Sequence, residues 1–240
     1  LKINLMANQQ FAVIMAGGIG TRFWPVSRSS YPKQFHDILG TGKSLLRSTY
    51  ERFAQFFLSE NILVVTNDSY VDMVAEQLPE LRREHILAEP IGRNTAPCIL
   101  YANKVIAQAS ADAQVIVSPA DHLITNEKHY IHDLKLGLKL AAKQQEVITL
   151  GILPSRPDTG YGYIQFLDDG KNTQHFPVKT FTEKPNHEMA KTFVESGDFL
   201  WNSGIFIFDL KLMNRAFQQY LPEMWEQFDT DLPTETAEHQ

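Results

Sequence analysis

The sequence predicts an α/β fold in which a mixed, mostly parallel β-sheet is flanked by helices. Short apolar runs rich in Val, Ile and aromatic residues alternate with amphipathic segments of helical period along the chain. This alternation is typical of a parallel sheet that helices cover on both faces. Strand-like runs are more frequent in the second half of the chain, which indicates that the sheet is mixed.

Eight apolar runs are the expected strands, and the segments between them are the expected helices. Leu46, Tyr50 and Phe53 recur at helical spacing after Ser44, a residue type that favours the N-cap position, and Asn186 precedes the last helical segment in the same way. The expected strands are residues 11–16, 62–65, 86–88, 115–117, 147–150, 163–166, 178–182 and 204–208. Helices are expected after Ser44 and at residues 69–78, 95–109, 127–143 and 187–195.

We expect residues 11–240 to form a single domain after a short N-terminal extension, residues 1–10. Hydrophobic residues make up 43% of the 240-residue chain and aromatic residues 11%, which suffices for one sizeable core. The chain has no internal repeat, low-complexity tract or linker that would divide it. Length alone is also compatible with two small domains.

Composition excludes several classes of function. The formal net charge of -6 argues against a general nucleic-acid-binding surface, because phosphate backbones need a basic field. The single cysteine, Cys98, excludes a disulfide framework within the chain and makes a cysteine-based zinc site remote. No apolar run approaches the roughly 18 to 20 residues that span a membrane, and the first residues lack the pattern of a signal peptide. We therefore expect a cytoplasmic protein without a membrane or nucleic-acid partner.

A glycine-rich loop follows the first expected strand. It contains Gly17, Gly18 and Gly20, and such spacing lets backbone N–H groups approach a phosphate. Arg22 and Lys33 add two cations, and no carboxylate lies between residues 11 and 36. This makes a local positive site on an acidic chain.

Two other phosphate motifs fail on spacing. A dinucleotide-binding turn would have a third glycine where this chain has Phe23, and an acidic residue further on where the chain offers Lys33 and Gln34. A triphosphate-binding P-loop ending at Gly42 would need a glycine where Asp37 stands.

The glycine loop at residues 17–22, together with Pro32 and Lys33, resembles the signature of the sugar-1-phosphate nucleotidyltransferases. The longer segment through residue 35 is similar to the mannose-1-phosphate guanylyltransferase branch of that family. Further matching segments follow in the expected order over about residues 11–210. They are residues 89–90, 93–97, 119–122, 159–164, 181–185 and 201–206.

This resemblance implies a Rossmann-like fold of the nucleotide-diphospho-sugar transferase type and a Mg²⁺-assisted reaction. GMP would pass from GTP to mannose 1-phosphate by in-line attack on the α-phosphorus, which gives GDP-mannose and pyrophosphate. Thymidylyl or uridylyl transfer to glucose 1-phosphate stays open as an alternative, as does a non-catalytic regulator that binds a nucleotide or a sugar phosphate. A homodimer also stays open.

The resemblance also assigns roles to individual residues. It implies a catalytic set of Arg22, Lys33, Asp121 and Lys184, with Asp121 as the Mg²⁺ ligand. The sugar phosphate would contact Gly162, Glu183, Lys184 and Asn202. The nucleotide would contact Ala16, Gly17, Gly18, Gly20, Thr21, Arg22, Lys33, Asn94, Thr95 and Asp121.

The chemistry of these residue types agrees with the implied roles. Arg22 has a planar fork that holds two phosphate oxygens, and Lys33 is a compact charge. Asp121 closes an apolar strand with an oxygen ligand that Mg²⁺ prefers. Glu183 and Lys184 are adjacent at the end of an extended run, so we expect their side chains to point to opposite sides and not to pair.

Family members continue beyond the point where this sequence ends, and their continuation carries a second acidic Mg²⁺ ligand. No match to that motif lies in the sequence, so we expect a truncated chain that binds GTP and turns over poorly.

Overall fold

The structure is a computed structural model that describes residues 10–89, 95–168, 170 and 174–231, without the side chains of Arg22 and residues 229–231. It contains two compact units. The first comprises the chain up to Ile148 together with the residues from Phe206 onward, and the second is Thr149–Ile205. The expectation of a single domain stays a prediction, because compactness does not test whether the units fold separately.

The sheet has eight strands and is mixed, as the sequence predicts. Four of them, β1 (Gln10–Met15), β2 (Ile62–Asn67), β3 (Ile86–Glu89) and β4 (Gln114–Pro119), are parallel and lie in the order β3-β2-β1-β4. The antiparallel strand β8 (Phe199–Asp209) continues the sheet beyond β4. The predicted α/β class with a mostly parallel core is therefore confirmed.

Three strands complete the second unit. β6 (Tyr163–Phe166) pairs antiparallel with both β7 (Val178–Thr182) and β8, and β5 (Ile148–Ile152) also pairs with β8. Each of the eight expected runs is thus a strand. β8 starts earlier than the run at residues 204–208 indicates, because Asn202 and Ser203 interrupt its apolar character.

Seven α-helices lie between or after the strands of the described chain, and the structure confirms the expected N-caps. Ser44 Oγ accepts a hydrogen bond from the Arg47 amide at 3.0 Å, and Asn186 Oδ1 accepts one from the Met189 amide at 2.9 Å. The helices are α1 (Leu45–Ala54), α2 (Val71–Gln77), α3 (Thr95–Ala109), α4 (Glu127–Gln144), α5 (His187–Ser196), α6 (Leu210–Tyr220) and α7 (Pro222–Asp231).

The first unit has a core on each face of its parallel strands. Phe11 and Val13 of β1 pack on the face covered by α3 and α6, with alternate residues of β2 and β4 beside them. The intervening residues Ala12 and Ile14 are also fully buried, on the opposite face. Burial on both faces fixes the register of these strands. Because the strands are parallel, the carboxyl ends of β1 to β4 meet at one edge of the sheet.

The second unit has a smaller core between its strands and α5. It consists of Tyr163, Ala190, Phe199 and Trp201, with Phe193 stacked on Phe199 at 4.0 Å between ring centroids. Within the described residues of the whole chain, no helix combines the length and apolar character that crossing a bilayer requires.

Candidate active site

A cavity of about 680 Å³ lies at the carboxyl ends of β1 to β4. In open α/β sheets this edge is where ligands bind. Seven of the residues that the sequence analysis assigns to the nucleotide line it together. They are Ala16, Gly17, Gly18, Gly20, Thr21, Thr95 and Asp121.

The glycine loop is held at its start by two buried side chains. Gln34 Nε2 and Thr66 Oγ1 both donate hydrogen bonds to the carbonyl oxygen of Ala16, at 2.7 and 3.0 Å. Gly20 has a φ of 68°, and a Cβ added there would lie 2.7 Å from Cβ of Lys33. This left-handed backbone favours glycine and the close approach leaves no room for a Cβ, so the loop and Lys33 form one packed unit.

Lys33 and Asp121 form an ion pair at the cavity, with Nζ and Oδ2 3.1 Å apart. The Lys33 side chain is 18% exposed and also lies over the Phe23 ring, 4.3 Å from its centroid. The cation that the sequence assigns to phosphate and the carboxylate that it assigns to Mg²⁺ therefore neutralise each other here. A ligand that binds either group therefore competes with this contact or shares the group with it.

Two predicted nucleotide contacts remain untested by the geometry. Arg22 belongs to a short 3-10 turn, Thr21–Phe23, directly after the glycine loop, but its side chain lies outside the described atoms. Asn94 lies outside the described residues, immediately before α3. Both assignments stay predictions.

His122, next to Asp121, is half-buried, and the loss of solvent around it lowers the pKa of its imidazole. Lys33 and Arg52 lower the pKa further, while Asp121 opposes them. The imidazole is thus neutral near pH 7, so it provides a hydrogen-bonding wall and no charge for a phosphate.

Glu89 is a cavity residue to which the sequence analysis assigns no role. It ends β3, is 7% exposed, and burial raises its carboxyl pKa from the ordinary 4.5 to about 7. Its carboxylate accepts no hydrogen bond from another described residue, and a Cβ on Gly17 would lie 3.4 Å from Oε2. A carboxyl that is largely buried at a cavity, with no donor among the described residues, suits a ligand that supplies one. The signal in the sequence is a carboxylate directly after the apolar run at residues 86–88.

The four residues predicted to bind the sugar phosphate lie together in the second unit. The Asn202 amide donates a hydrogen bond to the Gly162 carbonyl at 2.8 Å, which joins β8 to the loop before β6. A Cβ on Gly162 would lie 2.6 Å from Oε2 of Glu183, so glycine lets the carboxylate lie against the backbone here. Asn202 Oδ1 accepts a hydrogen bond from the Gly204 amide at 3.0 Å, which leaves its NH₂ group directed elsewhere.

The expectation that Glu183 and Lys184 do not pair is wrong. Their Oε1 and Nζ atoms are 2.8 Å apart. The strand β7 ends at Thr182, and Lys184 has a left-handed backbone with a φ of 44°, so the alternation of an extended chain no longer holds. Both side chains are more than half exposed, and such pairs are weak. The strained backbone of Lys184 is a feature that clusters at functional sites.

Aromatic side chains neighbour the four predicted sugar-phosphate residues in the sequence. Trp201 is 8% exposed, and its indole Nε1 has no hydrogen-bond partner among the described residues. The ring of Tyr161 lies 5.0 Å from the Trp201 ring, and the Arg156 guanidinium lies 5.4 Å from it. Nothing in the sequence indicates this contact of Arg156.

Residues 11–232 match the model of a family described as nucleotidyl transferase. A mannose-1-phosphate guanylyltransferase of Klebsiella pneumoniae is 39% identical over 219 residues, which are 89% of this chain and 46% of the relative. A second, of Escherichia coli, is 38% identical over 218 residues, with the same coverage of both chains. The chain thus spans about half the length of the curated relatives it matches.

Among solved structures, one titled mannose-1-phosphate geranyltransferase from Thermus thermophilus is similar over 93% of this chain and 64% of its own. The TM-score is 0.82 and the sequence identity 32%. Similarity of this extent covers both units and agrees with the match to the family.

Proposed function

Because the chain belongs to the nucleotidyl transferase family, we propose that it transfers GMP from GTP to mannose 1-phosphate, giving GDP-mannose and pyrophosphate. The observation that carries the proposal is the cavity at the strand ends, where a glycine loop, Lys33 and Asp121 meet. The names of the relatives supply the choice of sugar and base.

The glycine loop suits the triphosphate. Its backbone amides lie at the end of β1, and nothing lies within 4 Å of a Cβ added at Gly18, so a phosphate finds open space there. Lys33 adds a positive charge whose Nζ is held between the Phe23 ring and the Asp121 carboxylate. Arg22, directly after the loop in the sequence, would add a bidentate contact.

Glu89 supports guanine as the base. The Watson–Crick edge of guanine carries two adjacent donors, N1–H and the N2 amino group, which a carboxylate accepts side by side. Uracil and thymine offer one such N–H group, flanked by carbonyl oxygens that a carboxylate repels. A buried acceptor that only one base satisfies fully is an effective device for specificity.

The four residues of the second unit that the sequence assigns to the sugar phosphate suit such a ligand. Glu183 accepts hydrogen bonds from sugar hydroxyls, and Asn202 offers an NH₂ donor. Lys184 is exposed and carries the charge that a phosphate requires. Gly162 lets the Glu183 carboxylate lie close to the backbone and to Asn202, so both side chains can contact one sugar.

Mg²⁺ fits the donor set at the cavity. Among the described residues, no three His, Cys, Asp or Glu side chains are grouped so that they could hold a metal ion. The Asp121 side chain is 39% exposed and can therefore reach an ion in the cavity. One carboxylate together with substrate phosphates and water is the way in which Mg²⁺ usually binds. Asp121 would hold the ion, which supplies charge neutralisation on phosphate oxygens when bound.

The reaction needs alignment and charge neutralisation and no nucleophile from the protein. A phosphate oxygen of mannose 1-phosphate forms a bond to the α-phosphorus of GTP. The bond from that phosphorus to the bridging oxygen of pyrophosphate breaks, and the leaving group takes the electron pair. Lys33 stabilises the charge that grows there, and Lys184 holds the attacking phosphate.

Pyrophosphate release tests the proposal. The protein is incubated with Mg²⁺ and mannose 1-phosphate and with each nucleoside triphosphate in turn, and GTP binding is measured in parallel by calorimetry. Release with GTP alone supports the proposal. Release with UTP or dTTP and glucose 1-phosphate supports the alternative transferases, and binding without release supports a regulator.

A further inference from the structure

A buried side chain of α1 supports the turn that carries Asp121. Thr49 is fully buried, and its Oγ1 donates a hydrogen bond to the Ala120 carbonyl at 3.0 Å. The Ala120 amide donates in turn to the Met15 carbonyl at 2.9 Å. The Ala120 carbonyl and the Asp121 amide belong to one planar peptide. Thr49 therefore fixes the plane from which the Asp121 side chain leaves.

Side chains of α1 and of its C-cap residue Gln55 also contact the start of α4, at the end of the segment that follows Asp121. Arg52 Nη1 lies 3.5 Å from Thr49 Oγ1, and Arg52 Nε lies 3.3 Å from Oε1 of Glu127, the first residue of α4. Gln55 Nε2 donates to the other Glu127 oxygen at 3.3 Å. The segment from Ala120 to Glu127, which contains Asp121, is thus fastened to α1 at both ends.

Stability alone does not account for this arrangement. The Arg52 side chain is 4% exposed while its partner Glu127 is 47% exposed, so a guanidinium is buried against a half-solvated carboxylate. Buried ion pairs of this kind often add nothing over well-packed apolar residues. Neither Thr49 nor Arg52 lines the cavity, so either residue acts on a ligand only through the turn of Ala120 and Asp121, of which Asp121 carries the charged side chain.

We infer that Thr49 and Arg52 are positioning residues that hold the Asp121 carboxylate in the orientation required for Mg²⁺-dependent binding of GTP. The inference rests on the proposed function, and it concerns residues to which that function assigns no role. Loss of a partner that orients a metal ligand typically lowers metal affinity or activity by about 10- to 100-fold.

The test compares GTP affinity with and without Mg²⁺ by calorimetry. Thr49→Val keeps the volume and removes the donor, so we expect GTP affinity to fall about 10-fold with Mg²⁺ and to stay unchanged without it. Thr49→Ser keeps the hydroxyl and is expected to restore the metal-dependent affinity. A merely structural role would lower both affinities together.

Thr149 provides the matched control. Its Oγ1 donates to the Ile205 carbonyl at 2.9 Å in the second unit, so Thr149→Val makes the same chemical change at a similar bond. We expect this variant to bind GTP as the unmodified protein does. Arg52→Lys is the second probe, because lysine keeps the charge and loses the fork that reaches both Thr49 and Glu127. If Thr49→Val does not fold, the GTP affinities of Arg52→Lys with and without Mg²⁺ test the inference by the same criteria.

Two results would overturn the inference while leaving the proposed function intact. One is a folded Thr49→Val protein whose metal-dependent affinity equals that of the unmodified protein. The other is an equal loss with and without Mg²⁺. If the unmodified protein neither binds GTP nor releases pyrophosphate, the proposed function itself fails, which is a separate outcome.

Discussion

Replacing Glu89 by glutamine should make the protein more stable at neutral and alkaline pH while it weakens GTP binding. Burial raises the pKa of this carboxyl to about 7 in the folded protein, against 4.5 for an exposed glutamate. The folded state therefore holds the proton more tightly than the unfolded state does. Stability contributed by the protonated acid is present at low pH and is lost as pH rises from about 4.5 to about 7.

The size of the effect follows from the two pKa values. Each tenfold difference in proton affinity is worth about 1.4 kcal/mol, so ionising Glu89 in the folded protein costs at most about 3 kcal/mol above pH 7. Glutamine has nearly the same shape and stays neutral. We expect Glu89→Gln to raise the free energy of unfolding by up to that amount at about pH 8, and by little at about pH 4.

Urea unfolding followed by circular dichroism at several pH values measures this difference. Asp72 is 90% exposed at its side chain, so Asp72→Gln is a control that removes an acid without removing a buried charge. GTP binding by calorimetry completes the comparison. The unmodified protein should bind GTP more tightly as pH rises through about 7, and the glutamine variant should bind weakly with little dependence on Glu89 ionisation.

Two results would refute the reasoning. A stability difference between the glutamine variant and the unmodified protein that stays constant from about pH 4 to about pH 8 would mean that Glu89 does not titrate as its burial implies. Unchanged GTP affinity in the variant would mean that the carboxylate does not bind the base.

Three further substitutions test the site. Gly20→Ala should lower both the unfolding temperature and GTP affinity, because φ is 68° and Cβ would meet Lys33, whereas Gly40→Ala, with a similar φ and open space, should lower only the unfolding temperature. Asp121→Asn should abolish the dependence of GTP affinity on Mg²⁺ in calorimetry; a retained dependence would exclude Asp121 as the ligand. Lys184→Ala should raise the KM for mannose 1-phosphate about 10- to 100-fold with GTP binding intact, and equal loss of both would contradict its assignment.

The strands β1 to β4 could be predicted because each is an apolar run buried on both faces, whereas β7, with four of its five residues exposed, was indicated only by its β-branched and aromatic residues. The helices α6 and α7 were not predicted, although Asp209 caps α6 through the Leu212 amide at 3.1 Å. Leu210, Met213 and Phe217 recur at helical spacing in α6, so the sequence does carry the pattern of this helix. The polar residues from Asp229 onward gave no reason to expect a helix such as α7 near the end of the chain.

At the candidate site, the sequence predicted which loops meet and missed how their side chains interact. The rule that ligands bind at carboxyl strand ends collects the loops after β1, β3 and β4 without any structure. The pairing of Lys33 with Asp121, 88 residues further on, depends on side-chain positions that no spacing encodes. The pKa of Glu89 is likewise a property of tertiary burial, so the sequence showed its type and not its state.

The ion pair between Lys33 and Asp121 explains how an acidic chain keeps a buried cation at a phosphate site before a ligand binds. Without a ligand, Lys33 is mostly buried, and a lone ammonium there would be costly, so Asp121 offsets its charge. The pair is half open to solvent on the Asp121 side, so separating it costs little compared with a fully buried pair. A ligand that brings a cation for the carboxylate and an anion for the ammonium replaces both contacts at once. Free triphosphate supplies only the anion, so the geometry favours the magnesium complex of GTP.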